Sequence, residues 1–494
     1  MKLSRYFFIA IVLIFYFLPS FLFAQEQEID TINQLESAYL PDKDINLAES
    51  ALILSKTVYP KIDVDNYLTR INEIANEISS RLKANNSSPP EADLPQAQGS
   101  HKKTASDESS AIILEINRYF KEKKVKAESI LTTVPSLLSE SEREKFLLNK
   151  VLDTMSGNCL GLTTLYWSIA ERLDLPLSAV IIPQHVFLRY YKSKEEYINI
   201  EATAYGGAIE DKEYIKQTKK LIGDKIPLNC TPDKTTSYVL SKKQFIGLIL
   251  YNRGVDYSKR EFFQNTLRDF TLALRIYVDF HEAYKSRAGI YLKEERFQEA
   301  VNDLKKATGL EPDCPSTYYN LGVAYFNLKD YNEALKNLDR AIDLVPQYLE
   351  AYRNRGLVFA QQQRYKEALN DLSFVIDASP SAKAYYDRGS VYFNMKKYNE
   401  SIKDYTEAID MDERYADAYN NRGIVYATQE RYSEAVKDFE QAVKLQPERA
   451  ACYKNLGLAF YKMENSIKAK QILKKYLELN PNDEEIIKLI NQLK

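Results

Sequence analysis

Three short runs carry the residue types of thiol chemistry in chain order: Ser156-Gly157-Asn158-Cys159-Leu160-Gly161-Leu162, Pro183-Gln184-His185-Val186-Phe187-Leu188-Arg189, and Ile198-Asn199-Ile200-Glu201-Ala202-Thr203. A cysteine attacks as the thiolate, an imidazole takes its proton, and a carboxylate fixes the imidazole's tautomer. Cys159, His185 and Glu201 are therefore the candidate nucleophile, base and orienter. Of the three histidines in the 494-residue chain, His101 falls in a polar stretch without period and His281 opens a repeat, so His185 is the base left for Cys159. One histidine and one nearby cysteine fall short of the ligand cluster that zinc needs. Neither a metal nor another cofactor is expected.

These groups need elements to position them. Leu162, Leu165, Tyr166, Ile169, Ala170 and Leu173 fall on one helical face, with Ser156 or Asn158 available as cap, so the spacing predicts a helix that Cys159 opens. The free amides of a first helical turn and the helix dipole favour negative charge there, and the same amides can hold an oxyanion. Strands are predicted over 178–182, 186–191 and 197–202, the last two joined as a hairpin across 192–195. Pairing Val186 with Ile200 and Leu188 with Ile198 sets His185 opposite Glu201 on the other face, whereas a one-residue slip destroys both apolar pairs.

From residue 247 the chain repeats. Gly254, Ala288, Gly322, Gly356, Gly389, Gly423 and Gly457 recur at spacings of 34, 34, 34, 33, 34 and 34 residues. Twelve residues after each stands Thr266, Ala300, Ala334, Ala368, Ser401, Ala435 or Ala469, small where two helices approach closely. Pro312, Pro346, Pro380, Pro447 and Pro481 close most units. Two residues before the first column lie Asn252, Asn320, Asn354, Asn421 and Asn455, preceded by Tyr251, Lys285, Tyr319, Arg353, Tyr386 and Lys454. Amides can pair with an extended peptide's main chain while the aromatic and cationic column takes its side chains. The same asparagines serve equally as helix-packing hydrogen bonds.

Residues 1–24 read as a signal peptide: Lys2 and Arg5, an apolar run, Pro19, and Ala24 before polar residues. Left uncleaved, the run is about as long as the shortest transmembrane helix, and the membrane is a partner only in that case. Helices are expected over 44–59 and 63–83, and a polar, flexible excursion over 84–110. With 67 basic and 69 acidic residues the chain lacks the electrostatic footprint of a nucleic-acid binder. Among four cysteines of an exported chain, Cys314 and Cys452 lie too many units apart to bridge, and Cys159 with Cys230 is the pairing that would silence the nucleophile.

The Gly, Tyr, Ala and Pro columns and their period resemble the tetratricopeptide repeat. Seven units over 247–483 and a capping helix over 484–494 follow, with first helices lining a groove for protein or peptide ligands. The segment from Asn46-Leu47-Ala48-Glu49 through Leu148-Asn149-Lys150-Val151-Leu152-Asp153, the Cys159 run, Pro183-Gln184-His185 and Gly206-Gly207 resembles the transglutaminase-like superfamily, in the bacterial branch named for the SirB-type N-terminal domain. That resemblance implies an α+β, papain-like domain over 25–235 followed by an all-α solenoid, with Cys159, His185 and Glu201 as triad. Glu201 stands where the superfamily has aspartate, and Gln184 where a glycine is common. Two functions are expected from it: a periplasmic or cell-envelope thiol hydrolase or acyl transferase, or a non-catalytic interaction scaffold in the same place.

Overall fold

The computed structural model describes residues 46–59, 61–86, 105–127, 147–182, 185–193, 196–202 and 238–493. The chain forms two compact units, residues 1–294 with 306–312 and residues 295–305 with 313–494. Among the described residues no helix is long and apolar enough to cross a membrane, and residues 1–24, expected to be a signal peptide, lie outside them.

The first unit begins with α1 (Leu47–Val58), capped by Asn46, and α2 (Val64–Asn86), whose Asp63 accepts the Asn66 amide at 3.1 Å. Helix α3 (Ala105–Glu122) follows. Both ends of the stretch expected to be an irregular excursion are thus helical: α2 runs on through Asn86 and α3 starts at Ala105, while 87–104 lie outside the described residues. The reason is burial. Ile113, Ile116, Tyr119 and Phe120 form an apolar stripe at helical spacing, which only a helix can turn toward a core.

Then come β1 (Lys126–Ala127), α4 (Leu148–Thr154), β2 (Ser156–Gly157) and α5 (Cys159–Arg172). A four-stranded antiparallel sheet has the order β5-β4-β3-β6, with β3 Leu177–Ile182, β4 His185–Tyr191, β5 Tyr197–Ile200 and β6 Tyr238–Leu240. Helix α5 is the centre of the unit. Every residue from Leu160 to Ala170 is buried, because α1, α2, α4 and the sheet surround it. Val186, Leu188, Tyr190 and Ile200 supply the sheet's side of that core.

A single residue, Ser241, joins β6 to the first repeat helix, α6 (Lys242–Lys259), and forms a capping box with Gln244. With α7 (Phe263–Ile276) it makes the first helix pair, and Phe245, Ile246, Leu248, Ile249 and Leu250 join the same core as α5. Trp167 meets Phe245 edge-on at 5.3 Å. Helices 281–293 and 297–310 follow in sequence, and then five pairs: 315–327 with 331–344, 349–361 with 365–378, 382–394 with 398–411, 416–428 with 432–445, and 450–462 with 466–479. A last helix, Glu484–Gln492, joins Ile486 and Ile490 to the cluster that holds Leu473 and Tyr476.

Two columns recur that the sequence reading did not isolate. The turn inside each pair holds one left-handed residue, Glu261, Glu295, Lys329, Gln363, Lys396, Glu430 or Glu464, with φ between 57° and 62°. An arginine on the first helix also forks onto an aspartate 16 residues later on the second: Arg253 to Asp269, Arg355 to Asp371, Arg388 to Asp404, Arg422 to Asp438. Where the arginine is absent the acid is absent too, as Leu321 with Asn337 and Leu456 with Ile472.

Candidate active site

Cys159 occupies the first position of α5. Asn158 caps it, its Oδ1 accepting from the Gly161 amide at 2.9 Å and its carbonyl from the Leu162 amide at 3.0 Å. Met155, left-handed at φ 50°, ends α4, and β2 then pairs in parallel with β1 through Lys126↔Ser156 and Ala127↔Gly157. The approach to the cysteine is held from below as well. Arg70 on α2 donates to the Leu152 carbonyl at 2.7 Å and to Asp153 at 2.9 Å, and the Tyr67 hydroxyl donates to Asp153 at 2.8 Å. Deeper in α5 the buried Tyr166 donates to Asn117 at 2.8 Å, and its neighbours' desolvation raises its phenol far above the ordinary range.

Cys159 is unbridged, which removes its pairing with Cys230, and the residue is half-buried against the core. Cys452 is free and buried, and Cys314 enters a disulfide whose partner lies outside the described residues. An unbridged sulfur at the amino end of a buried helix is the placement that thiol chemistry requires.

His185 opens β4, main chain opposite Ile182; its imidazole lies outside the described residues. Glu201 follows β5 and is buried, with 4% of its surface exposed. The hairpin differs from expectation. Leu188 pairs with Ile200, Arg189 with Asn199 and Tyr190 with Ile198, two residues away from the anticipated register. A shift of two preserves the alternation of faces, so the apolar pattern cannot choose between the two pairings. The turn and the polar face choose. Lys192 and Ser193 amides both reach the Glu196 carbonyl, Tyr191 meets Tyr197 edge-on, and the buried Arg189 donates to Asn199 at 2.8 Å while its guanidinium lies 4.0 Å from the Tyr197 ring centre. The direct pairing expected of His185 with Glu201 belonged to the other register, and the observed pairs run only as far as Leu188 with Ile200. Arg189 and Asn199 went unread in the sequence; polar residues alternating with Val186, Leu188, Ile198 and Ile200 were the signal.

In the repeats, amide groups of the asparagine column bind within the protein. Asn252 donates to the Leu248 carbonyl at 2.8 Å; Asn354 donates to the Tyr319 hydroxyl, Asn421 to the Tyr386 hydroxyl and Asn455 to Asn420, each at 2.9 Å. Aromatic pairs recur at every second unit: Tyr251 on Phe280, Tyr319 on Tyr348 and Tyr386 on Tyr415, with centroids 4.9, 5.2 and 5.1 Å apart. An ion pair, Arg353 with Asp387, lies between the second and third of them, and another, Arg449 with Asp417, follows the third. Desolvation dominates the Asp387 carboxyl and raises it above the ordinary value despite the Arg353 contact.

Residues 139–246 match the family model of the transglutaminase-like superfamily, and tetratricopeptide-repeat models match 289–329, 315–348, 380–448 and 415–482. Among solved structures the chain is similar to a tetratricopeptide repeat protein from Parabacteroides merdae, at 19% identity and TM-score 0.43 over 50% of this chain and 97% of that one. It is also similar to the 41-end portion of MamA from Desulfovibrio magneticus RS-1, at 26% identity and TM-score 0.32 over 34% of this chain and 96% of that one. A third is YrrB, a TPR protein with an unusual peptide-binding site, at 21% identity and TM-score 0.32 over 38% of this chain and 96% of that one. No curated protein matches.

Proposed function

Because the chain joins a transglutaminase-like domain to tetratricopeptide repeats, we propose that it is a thiol enzyme whose repeats hold a protein or peptide substrate. Cys159 attacks an amide or peptide carbonyl and expels the amine, forming an acyl-enzyme. His185 takes the thiol proton and returns it to the leaving amine, and Glu201 orients the imidazole. Water or a second amine then resolves the thioester, giving hydrolysis or acyl transfer. Partner binding runs along the helices that carry Asn252, Asn320, Asn354, Asn421 and Asn455. The leader over 1–24 delivers the mature chain to the periplasm or cell envelope, or anchors it there if uncut.

The observation that carries this reading is the unbridged, half-buried Cys159 at the capped start of a buried helix. Iodoacetamide at low concentration, with labelled peptides mapped by mass spectrometry, tests it. Fast labelling of Cys159 that His185→Ala abolishes is the expected result; a free-thiol rate indifferent to that substitution overturns it. A second reading, a non-catalytic scaffold, draws support from the hairpin register, which sets Leu188 rather than Val186 opposite Ile200 and so departs from the pairing that would face His185 with Glu201. The indifferent outcome is the one it predicts.

A further inference from the structure

We propose that the contact between Arg353 and Asp387 is an acid-operated latch between two repeats: a proton on Asp387 releases the Arg353 guanidinium, which is masked at neutral pH and free in mild acid. The latch is independent of the thiol chemistry above. In two other places an asparagine donates to a tyrosine hydroxyl 35 residues earlier, on the preceding repeat: Asn354 to Tyr319 and Asn421 to Tyr386. The repeat between them places Asp387 in the asparagine's position and Arg353 in the tyrosine's, and Arg353 Nε donates to Asp387 at 2.5 Å. An ion pair thus takes the place of a neutral pair. A protonated Asp387 has nearly the shape of the asparagine that its neighbours carry.

Asp387 is weakly held as an anion. Its residue is 6% exposed, and Arg353 Nε is its one hydrogen-bond donor among the described residues. Asp371, Asp404 and Asp438 each accept a two-nitrogen fork instead. A buried carboxylate with most acceptor sites unfilled has lost its hydration without replacement, which favours the protonated form. Burial is the largest influence on Asp387 and raises its carboxyl, against the pull of Arg353 and Lys383. The packed helices add no further cation to hold the charge. Helix 349–361 brings Arg353, 365–378 the apolar Val375 and Ile376, and 398–411 Tyr405, its Asp404 being engaged by Arg388. Tyr415 and Asp417 come from the repeat beyond, and Lys383 and Tyr386 stand on the helix of Asp387 itself. Lys383 is exposed to solvent. The Arg449–Asp417 pair differs, since its side chains are 39% and 36% exposed and keep much of their hydration.

The test follows the side-chain Nε–H magnetic resonance signal of Arg353 in the full chain, assigned by its loss in Arg353→Lys. Between about pH 7 and about pH 4 the signal should shift, with a midpoint above the ordinary aspartate value of about 3.9. In Asp387→Asn that shift should be absent. Melting gives a second readout. A carboxyl raised in the folded state binds its proton more readily there, so the parent should gain melting temperature relative to Asp387→Asn as pH falls through the same window. An Arg353 signal that stays put down to about pH 4, or a parent that loses ground to Asp387→Asn on acidification, overturns the proposal. If circular dichroism shows the asparagine variant unfolded, the signal of the parent decides alone. Iodoacetamide labelling of Cys159 leaves this outcome untouched, so the enzyme reading and the latch can each fail without the other.

Discussion

Arg253 in the first repeat donates from Nη1 to the main-chain oxygen of Leu54 at 2.8 Å, across 199 residues of sequence. Its other nitrogens fork onto Asp269. Further along, the equivalent third nitrogen reaches the preceding helix pair: Arg355 to Asp339, Arg388 to Ser373 and Arg422 to Thr406. Helix α1 therefore stands where a preceding repeat would, and the cysteine-bearing domain acts as the first repeat's end cap.

Arg253→Met is expected to destabilise the chain in urea unfolding, by less than the about 3–5 kcal/mol of a buried charge left with no partner, because Asp269 loses its forked contact but keeps Arg268 at 3.2 Å. Adding Asp269→Leu should restore most of that loss, since apolar replacement of a whole buried pair is often near neutral. No recovery in the double variant would show that the Leu54 contact, not the ion pair, dominates.

Asn158→Ala removes the side-chain acceptor for the Gly161 amide. Loss of such a cap typically costs about 1 kcal/mol. The melting temperature should fall accordingly, and hydrogen exchange should quicken in the first turn of α5, the turn that holds Cys159.

A methyl group on Gly322 would stand 2.5 Å from Leu338 Cγ. Gly322→Ala is expected to destabilise the repeats by about 1–3 kcal/mol through overpacking, with Leu338→Ala restoring part of it. Additive losses in the two would refute the close approach.

Legibility differed by kind of constraint. Each repeat meets the same burial demand, so Gly322 and Ala334 announce a helix pair in any unit, and the whole solenoid was readable. Helix α5 was readable for a related reason: Asn158 and the apolar positions behind Cys159 are local. The β4–β5 register was not, because parity fixes which face Leu188 takes but not whether Ile198 or Ile200 opposes it; a five-residue turn and the Arg189–Asn199 bond decide. The Arg–Asp ladder was visible as a 16-residue spacing, yet its meaning depends on two helices lying side by side. Arg253 and Leu54 had no signal at all, since nothing periodic links a repeat to a helix outside it.

Lys396 sits at φ 61°, a conformation that costs an L-residue about 1 kcal/mol and glycine little. Lys396→Gly should raise stability by a few tenths of a kcal/mol or more after the entropy of the unfolded chain is counted, and Lys396→Val should lower it. Thermal melts of the two variants, moving in opposite directions, are the check.

The Asp483 carboxyl is held down at about 2 by hydrogen bonds from Lys454, Tyr476 and the Ile486 amide. A carboxyl depressed in the folded state stabilises above its ordinary value and loses that contribution as acid protonates it. The last helix should therefore fray as pH falls from about 4 to about 2, seen as faster exchange of its amides, while Asp483→Asn should show no such dependence.

The aromatic pairs at Tyr319–Tyr348 and Tyr386–Tyr415, with an ion pair between, give the solenoid a working module of two units rather than one. Excising a single unit would bring a tyrosine platform against the wrong neighbour and strand Arg353 or Asp387. Excising the fourth and fifth units together would remove Arg353 with Asp387 and bring Asn421 to Tyr319, where Asn354 donates in the intact chain.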